Sequence, residues 1–245
     1  MEGNIELYNK KRELLLKNKE IFEQKLKVAI EKYENLKVAD IDKKEQRLEI
    51  AAKNVARRIY ALEQIKDQIS FLRPASKEDT EYRLRQYDEF SRRIRNCVPE
   101  DLPLRFHGCP IYTAKRIIES GELSSSADRL GIETSYDVAG QISVTTKDSL
   151  ETTVQGYAGL NGNHELPAGC IFVLLPRDEF DAECGHSMLM NNVNIRKEPD
   201  RLYAIITTPE NYEVLREWCE NNNIEESKVY DYDGFEMLFR KNKTY

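Results

Sequence analysis

Apolar side chains recur every seven residues through much of the first hundred positions, and that spacing limits this part of the chain to helix. Leu15, Phe22, Ala29 and Leu36 form one series, and Leu26 and Tyr33 lie four residues after Phe22 and Ala29. A helix brings all of them onto one stripe. Residues 5–37 contain no Gly or Pro and are rich in Lys, Glu and Leu, which are good helix formers. A second series is Leu48, Val55, Leu62 and Ile69. It is accompanied three positions later by Ala51, Ile65 and Leu72, with Arg58 as the one polar member of that row. Two such segments predict an antiparallel helical hairpin or a short coiled coil. The stripe stops at Arg73-Pro74, where proline bars continuation. A third helix is predicted over roughly 78–96, and Pro99 and Pro103 bracket a linker.

The texture changes after residue 103. Leu104-Arg105-Phe106-His107 reads as a short strand stopping at Gly108, and Tyr112–Glu119 as a helix closed by Gly121. Ile142-Ser143-Val144-Thr145 alternates with period two, as a strand does. Ser149 to Tyr157 is predicted as a short helix. Cys170–Leu175 is continuously apolar, the mark of a strand buried on both faces. A short strand at Asn192–Ile195, a central strand at Leu202–Ile206 and a helix at Tyr212–Asn221, with Val214, Leu215 and Trp218 inward, follow. Lys228–Asp231 is predicted as the last strand. The expected class is α+β: a helical, coiled-coil-like domain over 1–99, a hairpin or bundle, followed by a mixed-sheet domain over 104–245.

Charge separates the two parts. Residues 1–99 hold 23 Lys and Arg against 18 Asp and Glu, whereas the rest holds 14 against 25. The imbalance favours contact between the parts and lacks the strong basic stripe of a nucleic-acid binder. No apolar run nears the ~20 residues that cross a bilayer. The first residues lack a secretory h-region, which leaves export by another route open. Five scattered cysteines, without C-x-x-C spacing, argue against a disulfide framework or zinc site and imply incidental thiols in a reducing, cytoplasmic compartment.

Arg105 and His107 share one face of their strand, and Gly108 permits close approach of a ligand to the backbone. Ser143 and Thr145 share a face of another strand. Glu198 stands just before a core strand, with Asp200, Glu210 and Asp233 as further acids. Each is ordinary alone, and the signal lies in their order.

That order resembles the ADP-ribosyltransferase superfamily, whose catalytic domain splits NAD at the nicotinamide ribose. The resemblance rests on RFHG, ISVTT and a Glu ahead of a late strand, and covers residues 104–206. It implies an NAD-dependent mono-ADP-ribosyltransferase acting on a macromolecular target, a protein, with NAD as substrate; no metal is expected. By the resemblance, His107 and Gly108 lie under the ribose and the nicotinamide amide. Arg105 is the rival anchor and would steady a phosphate. Ser143 and Thr145 shape the nicotinamide pocket, and Tyr157 is a stacking candidate. Glu198 orients the ribose 2′-hydroxyl and stabilises the oxocarbenium-like cation left by nicotinamide departure. The arginine-modifying branch has Glu or Gln where this chain has Arg196, so arginine modification is not implied. Residues 1–99 would bind a partner, self-associate or serve as a scaffold. Two rival readings are a non-enzymatic coiled-coil interaction protein with an inactive second domain, and a hydrolase using Cys109 with His164 or His186.

Overall fold

Residues 2–39, 42–74, 77–125, 128, 139–150, 168–177, 182–184 and 187–240 are described by the computed structural model. Tyr157, His164 and His186, and most of the helix expected over 149–157, lie outside them.

The heptad stripes produce two long helices, α1 (Glu2–Val38) and α2 (Lys44–Phe71). Leu15 near the start of α1 packs with Leu72 just past the end of α2, flanked by Tyr8 and Ile69, so the two helices run antiparallel. The residue after α2, Leu72, is already extended at φ −67° and ψ 127°, two positions before Pro74. A third helix, α3 (Lys77–Cys97), follows.

The second part is organised by strand β4 (Cys170–Leu174), all five of whose residues are buried. It lies between β1 (Arg105–Cys109) and β8 (Leu202–Thr207), antiparallel to both, and β9 (Val229–Tyr230) adds to β8 in parallel. A three-stranded sheet, in the order β3 (Gln141–Val144), β6 (Ser187–Asn191) and β5 (Ala182–Cys184), stands beside it. Two short strands, β2 (Glu122–Leu123) and β7 (Val193–Asn194), pair separately.

Period-two alternation gives the main sheet two apolar faces. Phe172, Leu174 and Ile205 join α4 (Ile111–Ser120) and α5 (Pro209–Asn221) through Ala114, Ile118 and Leu215. Ile171, Val173 and Ile206 join α6 (Tyr232–Arg240) through Phe235 and Phe239, and join the end of α3 through Ile94 and Cys97. The last turn of α3 therefore shares a core with the strands that follow it.

Ion pairs tie the helical segment to the sheet. Arg116 on α4 meets Asp67 at 2.6 Å and Glu63 at 3.1 Å on α2. Arg73 meets Glu210 at 2.9 Å. Arg93 on α3 bridges Asp233 and Glu236 of α6, and Glu236 also receives Arg240. Phe71 packs edge-on to Trp218, with ring centroids 6.1 Å apart.

Several expectations change. β1 continues through Gly108 and Cys109, because both pair with β4. The chain does not close on a strand at 228–231, since α6 follows it. Val214 is 37% exposed rather than inward, because Leu215 takes the buried position on α5. Strands β2, β5 and β6 carry no clear period-two signal and were not expected.

Gly121 ends α4 at φ +75°, its N–H donating to Ile117 O at 2.8 Å. The Arg196 side chain lies over it and donates to the Ile118 and Glu119 carbonyls at 2.8 and 2.5 Å. An added Cβ would meet Arg196 Cδ at 2.8 Å. Gly121→Ala is therefore expected to lower stability by about 1–2 kcal/mol, from the left-handed backbone and the displaced arginine. Urea denaturation checks this.

Burial would raise the Glu236 carboxyl, but Arg93 and Arg240 more than offset it and hold it below the usual value. A depressed folded value stabilises the protein above the unfolded carboxylate range and is lost as pH falls through the folded value. Glu236→Gln should thus cost about 2 kcal/mol near pH 7, and the difference from the parent should shrink below about pH 4. Urea midpoints across that range measure it.

Candidate functional site

Among the described residues the backbones of the two sheets pair at one bridge. Phe106 and Thr145 exchange backbone hydrogen bonds of 2.9 Å in both directions, and this bridge is isolated. Beyond it β1 stays with β4 while β3 turns to pair with β6. The sheets part immediately after the bridge, and the sequence-predicted residues sit at that split.

Backbone groups of successive residues face opposite edges of a strand, and those of alternate residues the same edge. Phe106 bonds to β3, so Gly108 presents its N–H and C=O on the same edge, where β3 has already left. Among the described residues neither group has a partner there. Between them, His107 bonds its backbone toward β4, opposite Phe172. Its side chain crosses the split, where Nδ1–H donates to Ser143 O at 2.8 Å. A carbonyl can only accept, so this bond sets a proton on Nδ1. Thr145 is 1% exposed, and its Oγ1 is a buried hydroxyl with no hydrogen-bond partner among the described residues.

Both ends of β3 are held. Lys147, just past β3, donates from Nζ to Val98 O at 3.0 Å and to Glu100 at 2.7 Å, fastening the strand to the end of α3. Before β3, the Asp128 carboxylate accepts from Asn192 at 2.6 Å, from Ser125 Oγ at 2.9 Å and from Gly140 N–H at 2.8 Å. These bonds, that from Asn192 foremost, hold its carboxyl below the usual range. The split is thus framed by bonds that do not rely on a ligand.

The structure brings His107, Gly108, Ser143 and Thr145 together. Arg105 is half-buried at the start of β1, and its Nη1 donates to the Pro103 and Leu104 carbonyls at 3.4 Å. Glu198 stands elsewhere, before the 3-10 turn Pro199–Arg201 that leads into β8. β8 is two strands from β1, roughly 10 Å across the sheet. Glu198 Oε2 pairs with Arg177 at 3.1 Å and lies 3.9 Å from Arg201. The other acids are committed as well: Asp200 to Arg177, Glu210 to Arg73 and Asp233 to Arg93.

Cys109 is 2% exposed and faces Cys170 across the β1–β4 ladder, Sγ to Sγ 4.0 Å. Burial, with Cys109 beside it, pushes the Cys170 thiol well up. Burial also pushes Cys219 up to about 12. A nucleophile must be reachable and ionisable, and the burial of Cys109 weighs against the hydrolase reading. Among the described residues no group of three or more His, Cys, Asp or Glu could hold a metal ion, and no helix is long and apolar enough to cross a membrane.

No protein-family model, curated protein or solved structure matches this chain.

Since the Thr145 hydroxyl has no partner among the described residues, Thr145→Val removes a buried polar group without breaking a described bond. Thermal unfolding is expected to show equal stability or a gain of up to about 1 kcal/mol. A clear loss would mean that the hydroxyl serves the fold.

Proposed function

We propose that the β1–β3 split holds the nicotinamide end of NAD, and that the protein is a mono-ADP-ribosyltransferase acting on a macromolecular target. The observation that carries this reading is the buried Gly108 backbone, whose N–H and C=O have no partner among the described residues where β3 turns away to β6. A primary carboxamide is the smallest group that matches an adjacent backbone N–H and C=O. Its oxygen accepts from Gly108 N–H and its NH2 donates to Gly108 C=O. Thr145 Oγ1 and the fixed His107 ring add further polar groups beside that backbone, and Arg105 at the start of β1 can meet a phosphate. The order of RFHG, ISVTT and Glu198 along the chain supports the same reading.

In the reaction the bond between ribose C1′ and the nicotinamide nitrogen breaks, and nicotinamide leaves as the neutral base. A nucleophile on the target then bonds to C1′ and gives up its proton to solvent. Charge develops on the ribose before that bond forms, so a fixed carboxylate is the expected stabiliser. Glu198 takes this role by the resemblance, from its place before β8.

Nicotinamide release from NAD by the full chain, with thermal-shift titration of NAD, tests the proposal. His107→Ala and Ser143→Ala should weaken NAD binding, roughly tenfold each. Glu198→Ala should spare binding and abolish turnover. Full turnover in Glu198→Ala would remove Glu198 from that role. Absence of both NAD binding and nicotinamide release would sink the proposal.

A further inference from the structure

The helical hairpin carries a feature that NAD chemistry does not use. A groove of about 520 Å³ runs between α1 and α2. Its α1 wall is made by positions 25, 28, 29, 32 and 36, and its α2 wall by positions 47, 50, 51, 54 and 58. Both sets have the spacing i, i+3, i+4, i+7, i+11, one face of a helix over three turns. The groove is therefore a straight channel about 16 Å long, parallel to both helices.

Its chemistry is segregated. The floor is aliphatic: Val28, Ala29 and Leu36 on one side, Ile50 and Ala51 on the other. Val28 is 62% exposed and Ile50 55%, unusual for large apolar residues in the middle of long helices. The rim carries Lys25, Lys32, Arg47 and Arg58, and no carboxylate lines the groove. Two neighbouring acids pair within their own helices, Glu34 with Lys37 at 2.9 Å and Glu49 with Lys53 at 2.8 Å. Among the described residues none of the four cations has a carboxylate partner. Arg58, the polar interruption in the second apolar series, is thus a rim cation of this groove. The apolar floor also extends along α1, because Leu7, Leu14 and Ile21, spaced seven apart ahead of Val28, are 55%, 57% and 40% exposed.

We infer that this groove receives an acidic amphipathic helix from another protein, as the third helix of a bundle. Aliphatic knobs at three- and four-residue spacing would fill the floor, and Glu or Asp on both flanks would meet the cations of the two walls. A second copy of the same hairpin fits poorly, since facing grooves would oppose four cations with four. Single-stranded nucleic acid meets the charge but not the floor, which has no aromatic ring for a base to stack on. The inference is independent of whether the second domain cleaves NAD.

Fluorescence anisotropy of the full chain with a labelled synthetic peptide tests it. The probe is a peptide of about 20 residues built from Leu at heptad spacing with Glu on both flanks. Saturable binding is expected, weakening roughly tenfold or more between about 50 and 500 mM salt. A Lys32→Glu, Arg58→Glu double variant with unchanged circular dichroism should lose roughly tenfold or more in affinity, and should gain affinity for the same peptide with Lys in place of Glu. Absence of binding, equal binding of a scrambled peptide of identical composition, or indifference to the double variant would each overturn the inference. So would tighter binding of a single-stranded RNA of about 20 nucleotides, or a dimer in sedimentation that Val28→Asp dissolves.

Discussion

Burial of β4 on both faces is the constraint on which the second part of the molecule depends. Its five residues expose almost no surface, so the sheet must be covered by helices on each side. One cover comes from α4 and α5. The other needs α6 and the end of α3, which is why a helix from the charged first hundred residues contributes Ile94 and Cys97 to this core. The two parts of the chain are joined through packing, and the linker between Pro99 and Pro103 connects elements that already share a core.

Ion pairs then fix how the remaining helices lie. The net charges of the two parts favour contact, but the pairs follow local geometry rather than net sign. Arg73 and Arg93 reach from the helical segment to acids of the second part, whereas Arg116 and Lys147 reach the other way, to Asp67, Glu63 and Glu100. Arg196, at a position read first for its bearing on target choice, instead caps the carbonyl end of α4.

The split between the sheets follows from the same core. Each strand leaves the bridge for its own partner, β1 for β4 and β3 for β6. Gly108 and Thr145 keep buried polar groups at the split, and the His107–Ser143 bond replaces the ladder that would otherwise continue. In the hairpin, by contrast, the unmatched features are an aliphatic channel and four cations, which suit a helix.

Periodicity alone determined the helices α1 to α5 and the strands at Arg105, Gln141, Cys170 and Leu202, because each has a long repeat or a sharp Pro or Gly boundary. It also placed His107, Ser143 and Thr145 on strands. Other short elements escaped it: β2 is only two residues long, and β5 and β6 carry Met, Asn and Cys where branched residues would signal a strand. Only the tertiary structure decided that β1 and β3 meet at Phe106 and Thr145 and then part beside Gly108, while Glu198 pairs with Arg177 elsewhere. Such meetings are set by which strand finds its partner across long stretches of chain, and no local pattern of residue types encodes that choice.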